Sequence, residues 1–328
     1  MRFAIIGAGS IGGWIGARLL HSGQEVALVA RGAHLVAMRE NGLRVTGPKD
    51  DLLVHPLCVS DPAEIGPVDV VIISLKAHQL PPFALKIPPL LGPDTLVVSA
   101  MNGLPWWYFQ RHGGPLDGLR LEALDPAGNI ERVIAPERII GCEVLPSAEI
   151  VEPGVIRHIS GNTLPLGEPD GSLSPRIQAL AEVFTAAGFK SPVSSHIRKD
   201  IWIKLMGNVA FNPISTLTRA TLVEMAEHPQ VKEVVRQIME EVIALCARLG
   251  MDIDISPERR IEGARKVGAH KTSMLQDLEA GKPLELECMV GAVLELGKHL
   301  DISMPHTQAL YALTHLLVNR ADPKTMAA

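Results

Sequence analysis

Phe3-Ala4-Ile5-Ile6-Gly7-Ala8-Gly9-Ser10-Ile11-Gly12-Gly13 decides the fold of this chain. A short apolar run of strand character meets three glycines at GxGxxG spacing, and a helical run follows to Leu20. In a strand–turn–helix of this kind Gly7 allows the tight turn, Gly9 lets a pyrophosphate approach the backbone and Gly12 lets the helix pack on the sheet. Ser10 and Ile11 lie between the last two glycines, where the free N–H groups and the dipole of a helix start favour an anion. The bland alternative is a glycine-rich turn with no ligand. The context of a strand before and a helix after counts against it.

Working outward, residues 25–30 read as a second strand that delivers Arg31 to the position where a dinucleotide fold contacts the ribose. An acid there suits NAD, whereas a guanidinium can grip a 2′-phosphate bidentately. Arg31, with His34 nearby and no carboxylate between them, therefore predicts NADP(H). Residues 68–75 and 95–100 are continuous apolar runs, as strands buried on both faces should be. Ligands in open α/β sheets lie beyond the carboxyl ends of such strands. Lys76 and Gln79 follow the first run, and Asn102-Gly103 the second, so a lined cleft is expected there. Pattern is lost over 104–138, which begins with Trp106-Trp107-Tyr108-Phe109, and resumes with strand-like runs at 139–144, 155–159 and 163–166. A helix over 175–187 and a strand near 189–193 complete a first domain, 1–194.

From 195 to 328 the strand signal disappears, and an all-α second domain is expected. Its centre is the stretch 199–213, an apolar helix carrying Lys204, Asn208 and Asn212 at i, i+4 and i+8. Each step of four residues turns a helical side chain by only about 40°, so the three form one polar stripe. One cation and two amides suit a carboxylate or a polarised carbonyl. A snorkelling lysine with two locally bonded amides is the structural alternative. Pro213 disfavours helical dihedrals at Asn212, so the helix is predicted to end or kink there. Valine and isoleucine at three-four spacing over 231–246 predict a second long helix. Ser256-Pro257 reads as an N-cap and first residue of another, and Pro305 opens the last.

The 36 acidic and 31 basic residues of the 328 are scattered, with no basic face for nucleic acid or a membrane surface. No apolar run reaches the length of a membrane span. The strand starting at residue 2 leaves no room for a signal peptide. Cys58, Cys142, Cys246 and Cys288 form no CxxC pair, which fits a reducing cytoplasm. No HExxH or Cys/His ligand spacing predicts a metal. A homodimer is compatible with the sequence and left open by it.

Taken in order, GAGSIG at 7–12, SLKAHQ at 74–79, MNG at 101–103, WIKLMGNVAFNP at 202–213, SMLQD at 273–277 and LELE at 284–287 resemble the ketopantoate reductase (2-dehydropantoate 2-reductase) family over nearly the whole chain. The resemblance implies a Rossmann-type domain followed by a helical one, and NADPH-dependent reduction of a 2-oxo acid in pantothenate biosynthesis. It implies Lys204 as general acid and Glu285 as its acidic partner. Asn102, Asn208, Asn212 and Ser273 match substrate-contacting positions, and Lys76, Gln79 and Arg31 match cofactor-contacting ones. Ser273 with Gln276 also fits a helix capping box, and Glu285 a helix start, neither of which needs a substrate. The chain departs from the family pattern at His270, Leu284 and Val290-Gly291, and in the length of 104–138. Two of these changes place apolar residues where the family has polar ones. With Trp106, Trp107 and Tyr108 read as a lid, they predict a substrate larger or less polar than ketopantoate. A packed loop or subunit contact is the alternative for the aromatic run.

Overall fold

In a computed structural model that describes residues 1–321, five strands occupy the first sixty residues. These are β1 (Arg2–Ile6), β2 (Glu25–Val29), β3 (Leu43–Gly47), β4 (Asp50–Val54) and β5 (Leu57–Val59), with α1 (Ser10–His21) and α2 (Gly32–Asn41) between them. Then come β6 (Val68–Ile73), the short α3 (Leu80–Phe83), β7 (Leu91–Ser99), α4 (Asn129–Val133) and β8 (Ile139–Cys142). The series closes with β9 (Ser147–Glu152), β10 (Val155–Ser160), β11 (Leu166–Gly167) and α5 (Pro175–Ala186). The large sheet has the order β11-β8-β7-β6-β1-β2-β5. All its pairs are parallel except β11 with β8. Strand order reverses between β1 and β6, and a crevice at such a switch point is where an open α/β sheet takes its ligand.

A second sheet, β4-β3-β10-β9, escapes the sequence reading apart from β10. Its strands are short, with charged residues in β3, β4 and β9, so no apolar run marks them and the alternation in β3 spans only four residues. This small sheet covers the face of α1 turned away from the large one. A Cβ on Gly16 would meet Leu28 and Ile5 of the large sheet, whereas one on Gly13 would meet Ile156 of the small one. That double cover explains a helix buried from Gly12 to Ala17.

At the far end of α1 a polar cluster ties the layers together. Asp50, 5 % exposed, accepts from Trp14 Nε1 at 3.1 Å and Arg18 at 2.6 Å. His158 Nδ1 lies 3.0 Å from the same carboxylate, and the His158 ring stacks on Trp14 with centroids 4.5 Å apart. Arg18 also donates to the Ala187 carbonyl and lies over the Phe189 ring.

Beyond α5 the chain is helical, with α6 (Ile197–Thr218), α7 (Leu222–Glu227), α8 (Pro229–Arg248), α9 (Pro257–Val267), α10 (Ser273–Glu279), α11 (Ala292–His299) and α12 (Pro305–Ala321). The protein divides into two units. One comprises Met1–Arg120 and Asp125–Arg198, the other Leu121–Leu124 and the chain from Lys199 onward. The tetrapeptide Leu121–Leu124 joins the helical unit because the Glu295 carboxylate accepts the N–H groups of Glu122 and Ala123, at 2.8 and 3.0 Å.

Three local expectations need correction. Pro213 does not end the helix, since α6 runs on through it to Thr218. Phe211, Ile214, Ser215 and Thr216 are all buried, so packing outweighs the local bias against a helical residue before proline. The cap of α10 is not Ser273. Thr272 Oγ1 accepts the Leu275 N–H at 3.3 Å, and Gln276 turns to the Lys271 carbonyl instead. The strand expected near 189–193 is reduced to isolated bridges, Thr163 with Lys190 and Leu166 with Val193.

Candidate active site

The glycine turn at the carboxyl end of β1 is held by two N–H groups, Gly7 and Ala8, that both donate to the Val29 carbonyl at 3.1 Å. Gly7 has φ +94°, and an added Cβ would stand 2.9 Å from the Ser74 carbonyl. Gly12 is needed more strictly still, since its Cβ would lie 2.2 Å from the Gly7 carbonyl. Gly9 is the opposite case, with nothing within 4 Å of where its Cβ would be. Space in front of Gly9, with no side-chain cap on the start of α1, leaves backbone N–H groups for an anion. These residues fit a dinucleotide diphosphate. Ser10 and Ile11 form the first turn of α1 and are partly exposed.

Arg31 stands exposed at the start of α2, just beyond β2. His34 is engaged elsewhere, its Nδ1 accepting the Gly154 N–H at 2.9 Å, and burial lowers its pKa. Lys76 and Gln79 follow β6 and are half-buried. The Gln79 side chain accepts the Lys76 N–H at 3.3 Å, which shapes the turn whether or not a coenzyme is bound. Asn102 follows β7 and is likewise half-buried, next to Gly103 at φ +84°. The fold thus delivers Gly7, Gly9, Gly12, Lys76 and Asn102 to the carboxyl ends of neighbouring strands in one unit.

In the helical unit the stripe on α6 is graded. Lys204 and Asn208 are half-buried, while Asn212 is 4 % exposed and donates through Nδ2 to the Met289 sulfur at 3.2 Å. Thioether sulfur is a weak acceptor, so Asn212 is held by packing as much as by that bond. Met289 belongs to a single π-helical turn, Glu287–Gly291, immediately after Glu285. Such turns occur frequently at functional sites. Glu285 itself is 6 % exposed, and Ser273 is exposed on the first turn of α10. Arg260 on α9 was not singled out by sequence. It packs against Gly207, whose Cβ would lie 2.8 Å from the guanidinium. No spacing rule links a glycine to an arginine on a different helix, so only the fold reveals the contact.

The aromatic run is not a lid. Trp106, Trp107, Tyr108 and Phe109 are between 0 and 8 % exposed, and the Trp107 ring fills the space beside Gly141. Val290 is fully buried as well. The four cysteines are buried, and burial pushes the Cys246 and Cys288 thiols up to about 12, away from any nucleophilic role. Among the described residues no helix is long and apolar enough to cross a membrane.

The family model described as ketopantoate reductase PanE/ApbA matches residues 3–107, and the model of its C-terminal part matches residues 196–318. The 2-dehydropantoate 2-reductase of Mesorhizobium japonicum is 45 % identical over 318 residues, covering 97 % of this chain and 98 % of the relative. The enzyme of the same name from Archaeoglobus fulgidus is 30 % identical over 315 residues, 95 % and 96 % of the two chains. Among solved structures, a candidate ketopantoate reductase from Ralstonia solanacearum MolK2 superimposes with a TM-score of 0.92 at 42 % identity, covering 96 % and 97 % of the chains.

Proposed function

This chain belongs to the ketopantoate reductase family of dinucleotide-dependent oxidoreductases, and from that premise we propose that it reduces 2-dehydropantoate to pantoate with NADPH, Lys204 acting as general acid. The observation that carries the reading is the Lys204–Asn208 stripe, left half-buried on a helix whose middle, from Ile201 to Thr216, is otherwise buried but for Ile203. The coenzyme supplies a hydride to the 2-oxo carbon. Negative charge then builds on the carbonyl oxygen, and an ammonium beside it stabilises that charge and delivers the proton. In this reading Asn208 and Ser273 hold the substrate's polar groups, and Glu285 orients the lysine or accepts from a substrate hydroxyl. Asn102 would serve both coenzyme and substrate. Asn212, tied to Met289, serves by fixing the π turn that follows Glu285.

Gly9 and the uncapped start of α1 would hold the diphosphate, with Lys76 and Gln79 lining the cleft. Arg31 would pair with a 2′-phosphate. NADPH is therefore expected to exceed NADH in kcat/KM, and Arg31→Ala to narrow the gap by about tenfold or more. A parent enzyme that already prefers NADH would overturn the coenzyme assignment.

A second reading, a bulkier oxo acid, now rests on Leu284 alone, which is half-buried, because the aromatic run and Val290 are core. Turnover of a panel of 2-oxo acids, followed by NADPH absorbance, decides between the two. Ketopantoate is expected to give the highest kcat/KM. A 2-oxo acid with a large apolar side chain that beats it would favour the second reading.

A further inference from the structure

The π turn Glu287–Gly291 leads into α11, and in it the Ala292 N–H bonds the Glu287 carbonyl, five residues back. The Met289 N–H bonds the Glu285 carbonyl at 3.1 Å, so Glu285 is tied to the same turn. A π turn holds one residue more than α geometry and is rare, so packing has to pin it. Relaxation to α geometry would rotate Glu285 by about 100° relative to α11, the angle of one helical residue. A carboxylate now buried would leave its place.

Two pins hold the turn. On its buried side stands the Asn212–Met289 contact described above. On its exposed side Tyr311 of α12 donates through its hydroxyl to Glu287 Oε1 at 2.7 Å. Glycine is a poor helix former, yet Gly291 sits in helical conformation, with φ −56° and ψ −47°. The missing Cβ explains its presence, since a Cβ there would lie 2.7 Å from Glu287 Oε2 and 3.6 Å from the Tyr311 ring. Gly291 thus leaves the space in which the carboxylate meets the tyrosine. Tyr311 stands on a helix whose start is fixed. The Glu241 carboxylate of α8 accepts the N–H groups of His306 and Thr307, both at 2.9 Å, and the Thr307 hydroxyl at 2.7 Å. Thr307, Tyr311 and Thr314 share one face of α12 at i, i+4 and i+7, and both threonines are fully buried. Burial and the bond to Glu287 push the Tyr311 phenol up to about 12, so it remains a donor at neutral pH.

We propose that Tyr311, through Glu287 and the space left by Gly291, is a positioning residue for Glu285, holding the π turn that keeps this carboxylate in the site. The inference rests on the role given to Glu285 above. Tyr311 acts on the reaction only through the turn. Its bond to Glu287 is charge-assisted, so its loss weighs more than that of a neutral hydrogen bond.

Tyr311→Phe keeps the ring and removes the hydroxyl. With ketopantoate as substrate, kcat is expected to fall about tenfold while NADPH affinity and melting temperature stay nearly unchanged. Glu287→Gln still offers Tyr311 an oxygen and should lose less. Gly291→Ala should lose as much as Tyr311→Phe, although alanine is the better helix former, and the two changes should not add, since both break one contact. In a Glu285→Gln background Tyr311→Phe should lower kcat no further. Cys288, buried within the turn, reports on it without any turnover. Its labelling by dithiobis(nitrobenzoate), located by peptide mapping, should quicken about tenfold in Tyr311→Phe, with Cys58, Cys142 and Cys246 reacting as in the parent. Unchanged labelling of Cys288 would show that the turn does not depend on Tyr311 and would overturn the inference. Faster labelling with the parent kcat, in an enzyme that Glu285→Gln impairs, would show that the turn does not position Glu285 and would overturn it as well. If Glu285→Gln leaves kcat unchanged, the role of Glu285 itself falls, and the inference falls with it.

Discussion

Replacing Lys204 by alanine is expected to lower kcat by about 10²–10⁴-fold, the usual contribution of a placed general acid. The loss should fall on kcat and on kcat/KM together, because the ammonium acts on charge that exists only in the transition state. Affinity for NADPH should be nearly unchanged, since the residues assigned to the coenzyme belong to the other unit. The helix itself should survive. Lys204 is a half-buried position in a long helix, alanine is the best helix former, and the apolar faces of α6 remain. Single-turnover kinetics with fluorescence titration of NADPH separate the two quantities. A variant within about threefold of the parent rate would remove Lys204 from the chemistry and leave it as a packing residue.

Asp50→Ala is the largest effect expected on stability. One buried carboxylate serves Trp14, Arg18 and His158, and its removal leaves three polar groups facing a void, Arg18 among them with its charge. Removing one partner of a buried ion pair typically costs about 3–5 kcal/mol. In a unit of this size that corresponds to a fall in melting temperature on the order of 10 °C. Asp50→Asn keeps the shape and part of the bonding, so it should cost less, about 1–3 kcal/mol. Urea unfolding followed by tryptophan fluorescence measures both, since Trp14 sits in the cluster. A loss below about 1 kcal/mol for the alanine variant would show that the cluster can relax around the gap. Because Asp50 holds the far end of α1, the same variant should also weaken binding at the start of that helix.

The glycine turn was legible because its requirements are local. A strand, three glycines and a helix lie within twenty residues; Gly7 and Gly12 answer to backbone contacts that only a missing Cβ permits, and Gly9 keeps the space in front of the helix start open. Lys204 and Asn208 were legible for the same reason, since helical periodicity alone puts them on one face. The small sheet was not legible. β3 pairs with β10 across more than a hundred residues, and nothing in Leu43–Gly47 announces that partner. The Thr272 cap was missed by one residue because serine and threonine stand side by side and both can cap.

By itself, then, the sequence determined the glycine turn, the strands that place polar residues at its rim, the polar stripe on α6 and the family to which these belong. Tertiary structure decided the rest. It carried α6 through Pro213, turned the Trp106–Phe109 run from lid into core, enclosed α1 between two sheets and set Arg260 against Gly207. The physical reason is range. Turn chemistry and helical periodicity act over a few residues, whereas burial depends on which distant segments meet, and where the two conflict the apolar area buried outweighs a local preference.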